Sequence, residues 1–136
     1  MENQLLEDEV IKILDNYLRN KGWRIKEINY GHDRGIDIKA VRDNLVLIVE
    51  AKGVKGNPKS HLTTRSQFDS GQLKTHLGKA IVKVLEEKNK NSSAIISIAL
   101  PNNNYLKEKL KYVIPEIKKI GIKLFFVNSD GTVIEN

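Results

Sequence analysis

Gly35-Ile36-Asp37-Ile38-Lys39-Ala40-Val41-Arg42-Asp43-Asn44-Leu45-Val46-Leu47-Ile48-Val49-Glu50-Ala51-Lys52 is the stretch on which the reading of this chain turns. Its second half, Asn44 to Lys52, is rich in Val, Leu and Ile, too short for a helix and bounded by polar turns, which marks a strand. Leu45 to Val49 is apolar at every position, the pattern of a central strand covered on both faces. Two charges, Glu50 and Lys52, then close it, and strand alternation sends both to the same face. Asp37 lies on the preceding strand, and a turn at Arg42-Asp43-Asn44 would fold the two into an antiparallel hairpin with Asp37 beside Glu50. Burying a carboxylate or an ammonium is costly unless it meets a partner, a metal or a ligand. Two carboxylates and a lysine brought together suit a divalent cation with a polar group near an attacking water.

Working outward, Leu5 to Lys21 reads as a helix with Leu6, Val10, Ile13, Leu14 and Tyr17 on one face, stopped by Gly22. Trp23 to Tyr30, Ile36 to Val41 and Leu45 to Lys52 read as three strands, with a glycine-bounded turn from Gly31 to Gly35. Gly53 to Asp69 is a long polar loop, and loops of that length in small domains are usually functional or mobile. Ser70 to Lys90 is a second helix, with Leu73, Leu77, Ala80, Ile81 and Val84 inward. Ser93 to Leu100 is a strand. Asn104 to Ile120 is a helix that Pro115 should kink or divide. Ile122 to Asn128 and Thr132 to Glu135 are strands around a Ser129-Asp130-Gly131 turn. The expected architecture is α/β, with an αβββαβ core and a mixed central sheet flanked by helices.

The chain has 136 residues, the size of one domain spanning residues 1–136. Its net charge is +6, which favours a polyanionic partner, nucleic acid first. A Lys-rich proteome or a thermophilic origin would give the same balance. There is no cysteine, so a disulfide, a thiolate nucleophile and a Cys-ligated zinc are excluded. The three histidines lack zinc-site spacing, and neither a GxxxxGK[ST] loop nor a Gly-x-Ser-x-Gly elbow occurs. Met1-Glu2-Asn3-Gln4 lacks the basic start and apolar core of a signal peptide, and no run reaches a membrane-spanning length. A cytoplasmic protein with no membrane partner is the expectation.

The run Gly31-His32-Asp33-Arg34-Gly35-Ile36-Asp37-Ile38 followed by Val49-Glu50-Ala51-Lys52 resembles the PD-(D/E)XK nuclease superfamily, with its restriction-endonuclease-like fold. The Mrr-type restriction endonucleases are most similar, and archaeal Holliday-junction resolvases are similar in style. Ile36 stands where the superfamily name has Pro. The resemblance implies that Asp37 and Glu50 hold Mg²⁺, with Mn²⁺ able to substitute, and that Lys52 places the attacking water and stabilises charge on the phosphate. It also implies a Glu on the first helix near the metal, with Glu7 the candidate to join Asp37 and Glu50 in holding one or two ions. By helical angle Glu7 falls nearer the apolar face than Glu9, although either could simply complement the helix dipole. Gln72 corresponds to a Gln near the scissile phosphate in relatives. It could equally close a capping box with Asp69.

Around this centre lie candidate nucleic-acid contacts. His32 and Arg34 sit in the turn before Asp37, and Asp33 can stabilise that turn. Lys55, Lys59, His61, Arg65 and Lys74 follow the strand. Gln72, His76, Lys79 and Lys83 form a polar stripe at helical spacing, suited to phosphate contacts that give affinity without reading sequence. A solvated helix face is the plainer alternative. The resulting expectation is a metal-dependent DNA endonuclease acting on double-stranded or branched DNA. The rivals are a junction-selective resolvase, a non-catalytic DNA-binding or assembly module, and an RNA nuclease. The resemblance further implies a homodimer, and a partner subunit could supply sequence reading. Leu124 to Val127 with Val133-Ile134 is one candidate dimer surface, or else core.

Overall fold

The computed structural model describes residues 3–31, 35–56 and 67–136. Among the described residues, six strands form one sheet in chain order. β1 (Arg24–Ile28), β2 (Ile38–Arg42) and β3 (Leu45–Ala51) are an antiparallel meander. α2 (Ser70–Lys90) crosses from β3 to β4 (Ile95–Pro101), which runs parallel to it. α3 (Asn104–Lys109) and α4 (Ile114–Lys119) carry the chain to β5 (Lys123–Val127), parallel to β4. β6 (Val133–Glu135) returns antiparallel at the edge. α1 (Glu7–Asn20) precedes the meander, so the expected αβββαβ order and mixed sheet are present.

Strand parity divides the core into two layers. Leu47, Val49 and Ala51 of β3 face one side, where they meet Val10, Ile11, Leu14 and Leu18 of α1 together with Ala99 and Phe125. Ile48 faces the other side, against Leu73, Leu77, Ala80 and Val84 of α2 and Leu106 and Ile117 of the short helices. Covering both faces is what makes β3 a nearly unbroken apolar run. The buried stripe of α1 is turned toward Ile11 and Leu18 relative to the expected one, leaving Ile13 and Tyr17 only partly buried. Leu124, Phe125, Phe126 and Val127 are all buried. They are core, so the half-buried Val133 and Ile134, 44% exposed, are what is left of the surface suggested for dimer contact.

Pro115 divides the expected third helix. It occupies the first turn of α4, where a residue without an N–H is tolerated. The hairpin between β2 and β3 turns through Asp43 and Asn44, with Arg42 paired to Leu45. Asp43 takes φ 56°, a left-handed conformation that Asp tolerates better than most residues. Among the described residues no helix is long and apolar enough to cross a membrane.

Candidate active site

The hairpin register runs Ile38↔Val49, Lys39↔Ile48, Ala40↔Leu47. Extended by one pair, it sets Asp37 opposite Glu50. Asp37 lies just before β2, where the ladder is taken over by side chains. The Asp37 backbone N–H donates to Glu50 Oε2 at 3.0 Å, and the Ala51 N–H donates to Asp37 Oδ2 at 2.8 Å. The sequence had placed Asp37 within a strand from Ile36 to Val41, but β2 begins only at Ile38, and the Asp37 amide serves a carboxylate and not a facing carbonyl. Asn29 secures the approach. Its N–H reaches the Asp37 carbonyl at 3.0 Å, and its side-chain amide donates to the Ile36 carbonyl at 2.7 Å. Glu50 is only 5% exposed. Burial, and then the facing Glu50 charge, push the Asp37 carboxyl up to about 8. Two acidic groups held this close favour a shared proton or a shared cation.

Lys52 follows β3, where its backbone N–H donates to the Ala99 carbonyl at 3.0 Å. Its Nζ lies 3.5 Å from Glu7 Oε1, so the first helix does deliver a carboxylate to this corner. Burial raises the Glu7 carboxyl above its ordinary range, Lys52 partly offsets that, and Glu50 adds to the rise. Glu9 is used otherwise: its Oε1 accepts from the Leu6 N–H at 2.8 Å and closes the start of the helix. Asp8 accepts from the Gly31 N–H at 2.8 Å, tying the glycine turn to α1. The three consecutive acids thus divide into a site residue, a turn anchor and a cap.

Gly53 makes the approach of α1 possible. A Cβ there would lie 2.5 Å from the Glu7 nitrogen and 2.8 Å from both the Leu5 oxygen and the Leu6 carbonyl carbon. The next residue, Val54, donates its N–H to the Leu5 carbonyl at 2.9 Å. The helix start is therefore seated directly on the backbone that leaves β3.

α2 borders the site. Gln72 closes a reciprocal capping box: Asp69 Oδ1 accepts from the Gln72 N–H at 2.8 Å, and Gln72 Oε1 accepts from the Asp69 N–H at 2.9 Å. Its carbonyl oxygen is thereby committed to the helix start. His76 stacks edge-on against Phe68 with ring centroids 4.5 Å apart. Burial, then the nearby Lys52 and Lys79 charges, lower its basicity. Lys74 and Lys79 are exposed along an open face of α2 that also carries Thr75, Gly78 and Val82. Lys83, expected on the outward polar stripe, instead turns back to Glu50 Oε1 at 3.4 Å and donates to the Gly35 carbonyl. Sequence reasoning missed this contact, as it missed Asn29 and Gly53. Lys55 is half-buried beyond β3. His32, Asp33, Arg34, Lys59, His61 and Arg65 lie outside the described residues.

Among the described residues, no three His, Asp or Glu side chains are already gathered in a metal-binding group. The donor set nevertheless fits Mg²⁺, which is usually held by one or two carboxylates plus waters and substrate oxygens. Asp37 and Glu50 supply two such carboxylates, and burial together with the facing Glu50 charge raises the Asp37 carboxyl.

No family model and no curated protein matches the sequence. Among solved structures, an XisH family protein from Nostoc punctiforme PCC 73102 superposes with a TM-score of 0.62 at 17% identity, covering 93% of this chain and 97% of that one. A fdxN element excision controlling factor protein from Anabaena variabilis gives a TM-score of 0.60 at 18% identity, covering 93% and 96%. At these identities the likeness shows a shared fold.

Proposed function

We propose that the chain is a metal-dependent endonuclease of DNA, built on the restriction-endonuclease-like plan of the PD-(D/E)XK superfamily. The observation that carries this reading is the pairing of Asp37 with Glu50 at the end of a buried strand, with Lys52 and Glu7 in contact beside them. Asp37 and Glu50 would hold Mg²⁺ or Mn²⁺. When bound, the ion supplies Lewis-acid polarisation of a phosphate and acidifies water. Lys52, held by Glu7, offers an ammonium to phosphate oxygens whose negative charge grows during attack. Glu7 acts through Lys52 and is a positioning residue. His76, its basicity lowered by burial and by the nearby Lys52 and Lys79 charges, can accept a hydrogen bond at this border. In the overall reaction a water oxygen bonds to phosphorus and the bond from phosphorus to the departing oxygen breaks. By resemblance to the superfamily, the products carry a 5′-phosphate and a 3′-hydroxyl.

The substrate reading draws on charge. The chain carries +6, and Lys74 and Lys79 stand exposed on the helix that borders the site. Contacts of this type bind the phosphate backbone without reading bases. One structural neighbour is named for control of element excision, a role compatible with DNA. The deciding experiment incubates supercoiled, linear, single-stranded and four-way-junction DNA with the protein, with and without Mg²⁺, beside Glu50→Ala. Metal-dependent cleavage that disappears in Glu50→Ala is expected, and the preferred DNA form will separate a general endonuclease from a junction resolvase. Cleavage that persists in Glu50→Ala, or binding without any cleavage, would overturn the assignment.

A further inference from the structure

Glu50 has two oxygens with different partners. Oε2 accepts the Asp37 N–H at 3.0 Å. Oε1 faces the ammonium of Lys83, 3.4 Å away. The same ammonium donates to the carbonyl of Gly35, two residues before Asp37. One lysine from the middle of α2 thus joins both segments that carry the paired carboxylates. The Glu50 side chain is 6% exposed and that of Lys83 38%. A carboxylate this buried needs a compensating positive charge, and Lys83 delivers one from a stem that still reaches solvent.

We propose, resting on the metal reading above, that Lys83 is the resident cation of the site. It holds Glu50 and the Gly35 turn together while no divalent ion is bound, and it competes with that ion for Glu50 Oε1. The metal-free pocket is therefore kept in shape by a charge that must swing away when the ion enters. A competitor of this kind lowers apparent affinity by the fraction of molecules in which the oxygen is free. Lys83 is a positioning residue here, because it acts through Glu50. Its partly exposed stem leaves the ammonium a path outward along the α2 surface.

The test is Mn²⁺ binding, read as loss of the free-ion electron paramagnetic resonance signal, in the full chain without DNA. Lys83→Met should bind Mn²⁺ about three- to fivefold more tightly than the parent, the upper part of the range expected for release of a partly exposed ion pair. Lys83→Arg keeps the charge and should bind as weakly as the parent. Lys79→Met removes an equal charge one turn away and should change affinity by less than about twofold, since it breaks no contact with Glu50. If circular dichroism shows Lys83→Met unfolded, Lys83→Gln takes its place and should give the same gain. Unchanged or weaker binding in the neutral Lys83 variant overturns the proposal. If Glu50→Gln still abolishes binding in that case, the metal reading survives alone. Absence of Mn²⁺ binding in the parent would remove both.

Discussion

Gly53→Ala should be among the most damaging single-methyl changes in the described part of the chain. The added carbon would meet three backbone atoms, at 2.5 Å from the Glu7 nitrogen and 2.8 Å from the Leu5 oxygen and the Leu6 carbonyl carbon. Side chains can yield by changing rotamer, but these atoms belong to the start of α1 and yield only if the helix start lifts. Overpacking a tight site costs roughly 1–3 kcal/mol, and rigid backbone partners put this case at the upper end. Lifting the segment also stretches the bond from Val54 to Leu5, now 2.9 Å, for about 1 kcal/mol more. A loss of about 3–4 kcal/mol is a large part of the stability of a domain this size and should lower Tm on the order of 10 °C. Gly78→Ala is the control. Nothing lies within 4 Å of a Cβ there and the position is helical, so alanine should stabilise by about 0.5–1 kcal/mol. Thermal melts followed by circular dichroism compare the two. A Gly53→Ala protein melting within about 3 °C of the parent would refute the argument that α1 is seated on this glycine. Because the Glu7 nitrogen is the nearest atom, the same variant should also separate Glu7 from Lys52.

Asp37 gives a pH signature in the absence of divalent ions. Its folded value of about 8 lies above the ordinary 3.8, so the folded chain keeps a proton that the unfolded chain has released, and stability should fall as pH rises from about 4 toward 8. Asp37→Asn should flatten this decline; a parent whose Tm holds level or rises over that window, measured against Asp37→Asn, would contradict it. Gln72→Ala should cost about 0.5–1 kcal/mol through loss of the side-chain half of the capping box, and a fall in cleavage larger than that loss can explain, measured at full folding, would assign it a second role at the phosphate. Lys74→Ala and Lys79→Ala should each reduce the slope of log affinity for DNA against log salt by about 1 without changing sequence preference; an unaltered slope would return those lysines to plain solvation.

Much of this arrangement was legible along the chain because it is local. Ser70–Lys90 begins where the sequence places it, since Asp69 and Gln72 cap its start within four residues. The meeting of Asp37 with Glu50 was equally accessible, because hairpin pairing and the period of two leave little freedom. What escaped the reading depends on contacts distant in sequence. Nothing near Lys83 says that it turns inward, because its partners, Glu50 and Gly35, come from another layer. The separate uses of Glu7, Asp8 and Glu9 follow from what α1 happens to face: Lys52, Gly31 and its own first turn. A glycine after a strand is unremarkable in sequence, and only the seat of α1 reveals why Gly53 has no side chain.

The tight Asp43-Asn44 turn has a consequence beyond its own backbone. It lies five residue pairs from Asp37 and Glu50, about 17 Å along the strands. Yet its length is the gauge that decides which residue stands across from Glu50. Lengthening or shortening it by one residue would present Ile36 or Ile38 in place of Asp37, or else turn the apolar residues of a whole strand to the wrong layer. Substitutions at this turn can be forgiven; insertions and deletions cannot. Engineered loop grafts or tags should therefore avoid this end of the hairpin, however remote from the chemistry it looks.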